Sequence, residues 1–305
     1  MPTGKVVVLA GGTGGAKLAR GMLDVAGEDL VVVANTADDV EIYESYVSPD
    51  PDLCTFWLAD RIDERGWGLD GDTFAVMDGL RDLGEDVWFN LGDRDLAIAL
   101  QRARRLREGA RLTEALGELG EAFGLRSRVL PMSDAPVRTW VLKGDDWLPF
   151  QEFMIRGRGE GPVDGMELRG IEAATPPPEA LEAIAAARAI IIGPSNPVIS
   201  IKPILDVPGI REALAASPAK VVAVSPVVAG DIVKGPTEAF MGWAGFELSA
   251  TGVAGFYGDV LDGMVSDERE AGDLPVAVLD TLMSDAQSRE RVAREALRFA
   301  EALAS

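Results

Sequence analysis

The amino-acid sequence predicts an α/β fold: a Rossmann-like, doubly wound, mainly parallel sheet with a small β-rich insertion or subdomain. Three observations carry this expectation. Short β-branched apolar runs recur along the chain, bounded by Gly, Pro, Asn or Asp, as strands buried on both faces are. Helical patterns follow most of them, which is the rhythm of βαβ units. Polar loops rich in Gly or Pro stand directly after the runs, where an open parallel sheet has its ligand crevice.

The runs lie at 5–10 (KVVVLA), 30–35, 86–91, 189–193 and 220–226, with a weaker one at 275–279. Helices are expected at 16–25 after the first run, 94–106 after the third, and 208–216 between the fourth and fifth. A last one, at 284–304, carries Ala, Leu and Val on one side and Arg and Glu on the other. The stretch 137–171 breaks this rhythm. Its segment WVLKGDDWLPFQEFMI alternates like antiparallel strands around a GDD turn, so it reads as a β-rich insertion or cap. The prolines at 176–178 then stop it and open a helix over 179–187. The expected organisation is a core of 1–136 and 172–305 with the insertion at 137–171.

Composition narrows the chemistry. The 305 residues include 29 Lys+Arg against 50 Asp+Glu, a formal charge of −21, with one cysteine and no histidine. That excludes a Ser-His-Asp triad, a His-ligated metal and a zinc–thiolate cluster. So acidic a chain is not built mainly to hold nucleic acid. No run of about 18 apolar residues occurs, so no membrane span is expected. The N-terminus has no signal-peptide pattern, and a cytoplasmic protein is expected. Catalysis is left to carboxylates, hydroxyls, amides, Lys/Arg, backbone N–H groups or a hard cation.

Six loops carry that chemistry. Gly11-Gly12-Thr13-Gly14-Gly15-Ala16-Lys17 follows the first strand and opens a helix, whose free N–H groups suit a phosphate. It is neither a Walker A loop nor a full GxGxxG, since Lys17 stands where the last glycine belongs. Asn35-Thr36-Ala37-Asp38-Asp39 ends the second strand; Asp38 or Asp39 suits a ribose, a metal or a helix cap. Ser48-Pro49-Asp50-Pro51-Asp52 reads as a proline-stiffened acidic loop fit for Mg²⁺, or as a solvated turn. In Gly92-Asp93-Arg94-Asp95, Asp93 suits a metal or a proton and Arg94 a phosphate, with a plain helix start as the alternative. Gly193-Pro194-Ser195-Asn196-Pro197, with Ser200 and Lys202 beyond, offers neutral donors for a diphosphate; Ser225-Pro226 and Lys234-Gly235-Pro236 follow the fifth strand. Cys54 reads as core, Phe56-Trp57 and Trp67 as core packing or a ring-stacking surface, and the Arg-rich helix at 101–111 as a solvated face. Jointly the loops point to a phosphate-containing small molecule, with Lys17, Arg94, Lys202, Lys234 and a bound cation offsetting the acidity.

Taken in order, GGTGG-x-K-L, NTADD, SPDPD, LGDRD, LPMSD (130–134), GPSNP, AVSP, KGP and DTLM (280–283) resemble the 2-phospho-L-lactate transferase family of coenzyme F420 biosynthesis, called CofD in archaea and FbiA in actinobacteria. The resemblance runs from residue 6 to about 288. It implies transfer of a phospho-organic acid (2-phospho-L-lactate or phosphoenolpyruvate) from a guanosine diphosphate conjugate to the ribityl hydroxyl of the deazaflavin Fo, with release of GMP. It also implies Mg²⁺ and a homodimer. Carried over residue by residue, Asp50, Asp52 and Arg94 would face Fo, and Asp50, Asp52 and Asp93 the metal. Gly12, Thr13, Gly14, Lys17, Asn35, Asp38, Ser195 and Asn196 would face the nucleotide diphosphate. Asp93 and Arg94 would be catalytic, Asp93 as base, so that Asp93→Asn should cut turnover by orders of magnitude. One departure is the stretch with Tyr43, Glu44 and Tyr46, where archaeal relatives often carry Trp and Gly. A YvcK-like nucleotide-sugar-binding regulator is the alternative, disfavoured because its longer Gly- and Ser-rich segment after strand two is missing. An NAD(P)-dependent oxidoreductase lacks the needed motif.

Overall fold

The computed structural model describes residues 3–228, 231–232 and 236–304. In chain order the first strands are β1 (Lys5–Ala10), β2 (Leu30–Ala34), β3 (Val40–Ile42), β4 (Ser45–Val47) and β5 (Arg128–Pro131). Next come β6 (Arg138–Lys143), β7 (Asp146–Pro149), β8 (Gly165–Arg169), β9 (Ala187–Ile192) and β10 (Val221–Val224). The last are β11 (Val227–Val228), β12 (Asp231–Ile232), β13 (Gly263–Ser266) and β14 (Val276–Val278). Seven form one all-parallel sheet in the order β14-β13-β10-β9-β1-β2-β5. The chain winds one way through β1, β2 and β5, then returns and winds the other way from β9. The topological switch point therefore lies between β1 and β9.

The pleat divides the apolar residues between two layers. Val6, Val8 and Ala10 of β1 face a core shared with α1 (Gly12–Ala26), α2 (Pro49–Leu58) and the C-terminal helix Ala286–Leu303. Val7 and Leu9 face the other core, with Ile184, Ile204, Ile210 and Val253 from the helices on that side. The expected doubly wound sheet is thus observed, and its covered faces explain the unbroken apolar runs. The three antiparallel strands β7-β6-β8 form their own sheet, with helix Phe150–Ile155 between β7 and β8. Val137, Val141, Phe150, Phe153 and Val163 of this region belong to the same core as Val7 and Ile190, so the unit is packed onto the main sheet.

Two local expectations fail. The 86–91 run is no strand: Phe89 and Leu91 fill a satellite core with Met77, Leu96 and Val47, beneath α3 (Ala75–Asp82) and α4 (Asp93–Arg107). The place beside β2 is taken by β5, a four-residue edge strand ending in Pro131, where a missing N–H is tolerated. The SPDPD segment is not a loop either. Pro49 opens α2, where its fixed φ is already helical, so Asp50 and Asp52 lie in a helical first turn. Another helix, α5 (Leu112–Ala122), packs between α4 and β5.

Candidate active site

At the carboxyl end of β1 the chain turns through Gly11 into α1, with Gly12 at φ +60°. This is left-handed backbone that glycine adopts without a side-chain clash. The GPSNP loop lies directly on this turn: a Cβ on Gly14 would sit 2.0 Å from Pro194 O. Ser195 Oγ accepts from Gly11 N at 3.2 Å and donates to Gly11 O at 2.5 Å. Asn196 Oδ1 caps the π-helical turn Pro197–Ile201 by accepting from Val198 N and Ile199 N, and its Nδ2 donates to Thr237 Oγ1. Ser195 and Asn196 therefore hold the two sides of the switch point together.

The carboxylates converge beside this turn. Asp50 Oδ1 accepts from Gly12 N at 2.7 Å, and Asp50 Oδ2 from Asn35 Nδ2 at 3.0 Å. The same Asn35 Nδ2 lies 3.1 Å from Asp38 Oδ2, so one amide joins two carboxylates. Asn35 is fully buried, and Asp38 and Asp50 are 6% and 7% exposed. Among the described residues Asp38 Oδ1 is buried with no partner at hydrogen-bond distance, although the Thr139 hydroxyl lies close enough to oppose the rise of its carboxyl. Burial raises the Asp50 carboxyl to about 6, although Gly12 N–H opposes the shift. Burial, followed by the neighbouring Asp50 charge, holds the Asp38 carboxyl well above the ordinary range. Ser48 Oγ donates to Asp39 Oδ1, and burial lifts the Asp39 carboxyl to about 7. The insertion reaches this loop too: Gln151 Nε2 donates to Asp38 O, and Thr139 N to Ala37 O.

The other expected residues are used differently. Both oxygens of Asp52 are gripped by the Arg102 guanidinium. Asp93 accepts from Thr73 Oγ1 at 2.6 Å, Val76 N at 2.9 Å and Ala75 N at 3.1 Å, which caps α3 and lowers its carboxyl pKa. Asp72 returns the favour, accepting from Arg94 N and Asp95 N to cap α4. Arg94 is exposed, with one guanidinium nitrogen donating to Asp70 O. Lys17 Nζ lies 3.3 Å from Met283 O and over the Trp57 ring, bringing the DTLM segment against α1. Lys202 pairs with Asp206 in a groove below β8, away from the glycine turn. Lys234 lies outside the described residues. Gly12, Asn35, Asp38 and Asp50 are thus brought together; Asp52 stands behind them, and Asp93 and Lys17 make other contacts. Among the described residues, no group of three or more His, Cys, Asp or Glu is placed to hold a metal ion.

Sequence reasoning missed Arg102. It reads as part of a solvated face, yet it is 1% exposed. Arg also stands at 104, 105 and 107 of the same helix, and the acid that pairs with Arg102 lies 50 positions earlier, so periodicity alone could not mark it.

Known proteins bear on this arrangement. The family model described as "2-phospho-L-lactate transferase CofD" matches residues 6–297. The 2-phospho-L-lactate transferase of Methanosarcina mazei is 39% identical over 94% of this chain and 98% of that protein. The phosphoenolpyruvate transferase of Kitasatospora aureofaciens is 38% identical over 97% and 98% of the two chains. Among solved structures, a UPF0052 family protein from Bacillus halodurans superposes with a TM-score of 0.63 at 17% identity, covering 96% of this chain and 99% of the other, which shows a shared fold. With a family match over nearly its whole length and relatives of this closeness, the chain belongs to the CofD family of 2-phospho-L-lactate transferases.

Proposed function

We propose that this chain transfers a phospho-organic acid from a guanosine diphosphate conjugate to the terminal ribityl hydroxyl of the deazaflavin Fo. The observation that carries this reading is near-full-length similarity to relatives named for transfer of 2-phospho-L-lactate and of phosphoenolpyruvate. The hydroxyl oxygen attacks the phosphorus bearing the acid, the bond from that phosphorus to GMP breaks, and a carboxylate takes the hydroxyl proton. Phosphoryl transfer is chiefly positioning and charge stabilisation, which suits a chain without histidine.

The geometry supports a division of labour. The first-turn N–H groups of Thr13 and Gly14 have no acceptor within the helix, and both residues are half-buried at the switch point, an arrangement that suits a diphosphate. Asp50 already accepts from Gly12 N, so a phosphate here meets a carboxylate unless the site is neutralised. Of the four buried carboxylates, Asp52 and Asp39 have the guanidiniums of Arg102 and Arg138 beside them, whereas the charge that bears on Asp38 is that of Asp50, another carboxylate. That pairing of carboxylates, the unpartnered Asp38 Oδ1 and an all-oxygen donor set fit Mg²⁺, which needs only one or two carboxylates and keeps its waters. Asp38 and Asp50 are the residues that would hold it; Asp52 does not fit, its charge being matched by the Arg102 guanidinium, and Asp93 does not, its oxygens being turned into the first turn of α3. When bound, Mg²⁺ supplies positive charge against the diphosphate. Asp50 in place of Asp93 is the carboxylate we assign to the hydroxyl proton, because it lies beside the glycine turn. Arg94, exposed at the start of α4, is free to meet an anionic or polar substrate group with its remaining donors.

The test is direct. Incubating the protein with Fo, Mg²⁺ and, in turn, the lactyl and enolpyruvyl guanosine diphosphates should give a deazaflavin product heavier by the phospho-acid, with GMP. No mass gain with either donor overturns the reading.

A further inference from the structure

Arg102 is among the largest fully buried side chains, and it is charged. It extends from α4 into the wall behind the carboxylate cluster. One terminal nitrogen donates to Asp52 Oδ2 at 3.0 Å and to Tyr46 O at 3.1 Å; the other donates to Asp52 Oδ1. Its Nε is buried without a partner. Taking two ions out of water costs several kcal/mol each, and an apolar pair of similar volume is often equally stable. Stability alone therefore does not explain a forked ion pair here, and what the fork fixes is geometry.

Asp52 and Asp50 share the first turn of α2. Holding Asp52 at both oxygens sets that turn's height and rotation, and so aims Asp50 at Gly12 N and the Asn35 amide. The same helix, α4, starts at Asp93 and carries Arg94 eight residues before Arg102, about 12 Å along a rigid axis. One strut thus joins the LGDRD and SPDPD motifs. We infer that Arg102 is a positioning residue: through Asp52 it fixes Asp50 relative to Arg94, and thereby sets the grip on the deazaflavin acceptor. This rests on the transferase reading given above.

Three full-length variants test it, each read by thermal melting and by steady-state kinetics with Fo and the donor conjugate varied separately. Arg102→Lys keeps the charge and loses the fork. It should raise the KM for Fo about tenfold and the donor KM by less, because the α1 N–H groups that face the diphosphate do not move. A smaller folded fraction would lower apparent kcat and move neither KM, so the KM split separates positioning from plain structure. Arg102→Met alone leaves Asp52 buried and unpaired and should melt well below wild type. Pairing it with Asp52→Leu should recover melting temperature and leave the KM for Fo raised. An unchanged KM for Fo in Arg102→Lys, or recovery of both melting and KM in the double variant, overturns the inference. If the wild-type protein itself yields no product, the transferase reading fails; if only these variants behave like wild type, the positioning role fails alone.

Discussion

Asp50 and Asp93 both lie in the first turn of a helix, and their surroundings separate them. Asp50 is buried beside a second carboxylate and is held near neutrality, with a carboxyl raised to about 6. Asp93 caps α3 and is held in its ionised form. A proton acceptor works best with a pKa close to the operating pH, which favours Asp50. Asp50→Asn should therefore cut kcat by about 10²- to 10⁴-fold with the fold intact, as checked by melting and turnover. The rate law should show the same group. Asp50 must be ionised to accept the proton, so kcat/KM at low Mg²⁺ should fall as pH drops through about 6. A bound cation favours the ionised carboxylate, and raising Mg²⁺ should move that limb to lower pH. A profile flat from about pH 5 to 8 would remove Asp50 from this role. The two carboxylates framed by prolines marked SPDPD in the sequence, and the structure buries both. Which of the two is clamped was not legible, because the clamp comes from Arg102, far away in sequence.

At the scale of elements, α3 and α4 cap one another. Asp93 satisfies the first turn of α3, and Asp72 satisfies the first turn of α4. Gly92 makes this possible, since a Cβ there would lie 2.0 Å from Asp72 Oδ2. The LGDRD motif is thus a joint as well as a place for Arg94. Asp93→Ala should loosen the joint, with faster amide hydrogen exchange at Ala75 and Val76 and little change in β1 or β9. Its turnover should drop less than that of Asp50→Asn; an equal or larger drop with unchanged exchange would return Asp93 to the chemistry. The same joint explains why the 86–91 run misled. Its apolar residues serve the small core that α3 and α4 cover, and β-branched character alone does not distinguish that from a sheet strand. β5 and β13 escaped notice because each is four residues long and contains Arg and Pro, or Gly and Ser.

For the whole molecule, part of the acidity lies where it is least comfortable, since four of the 50 acidic residues are buried carboxylates beside a turn suited to anions. Asp38, Asp39 and Asp50, and also Asp95 at about 7, have carboxyls raised above the ordinary 3.8 chiefly by burial. The folded chain holds these protons more tightly than the unfolded chain, so their contribution to stability is complete below about pH 4 and is lost as pH rises through about 7. Groups shifted the other way, such as Glu179 held near 2 by Arg111, act only in the acid range below that window. Without divalent cations the protein should therefore melt at a higher temperature at pH 5 than at pH 7.5, and self-repulsion of the acidic surface pushes in the same direction. Mg²⁺ and protons compete for the same oxygens. Mg²⁺ at about a hundredfold excess over its Kd should add about 2.7 kcal/mol at pH 7.5, and clearly less at pH 5, where protons already occupy the site. KCl at matched ionic strength screens the surface charge at both pH values and should reproduce only the part common to both. A Mg²⁺ increment that KCl matches, or that is the same at pH 5 and pH 7.5, would mean that the buried carboxylates do not hold the cation. On the proposed transferase reading, the acidic chain would then have to admit a diphosphate donor by the N–H groups of α1 and Arg94 alone.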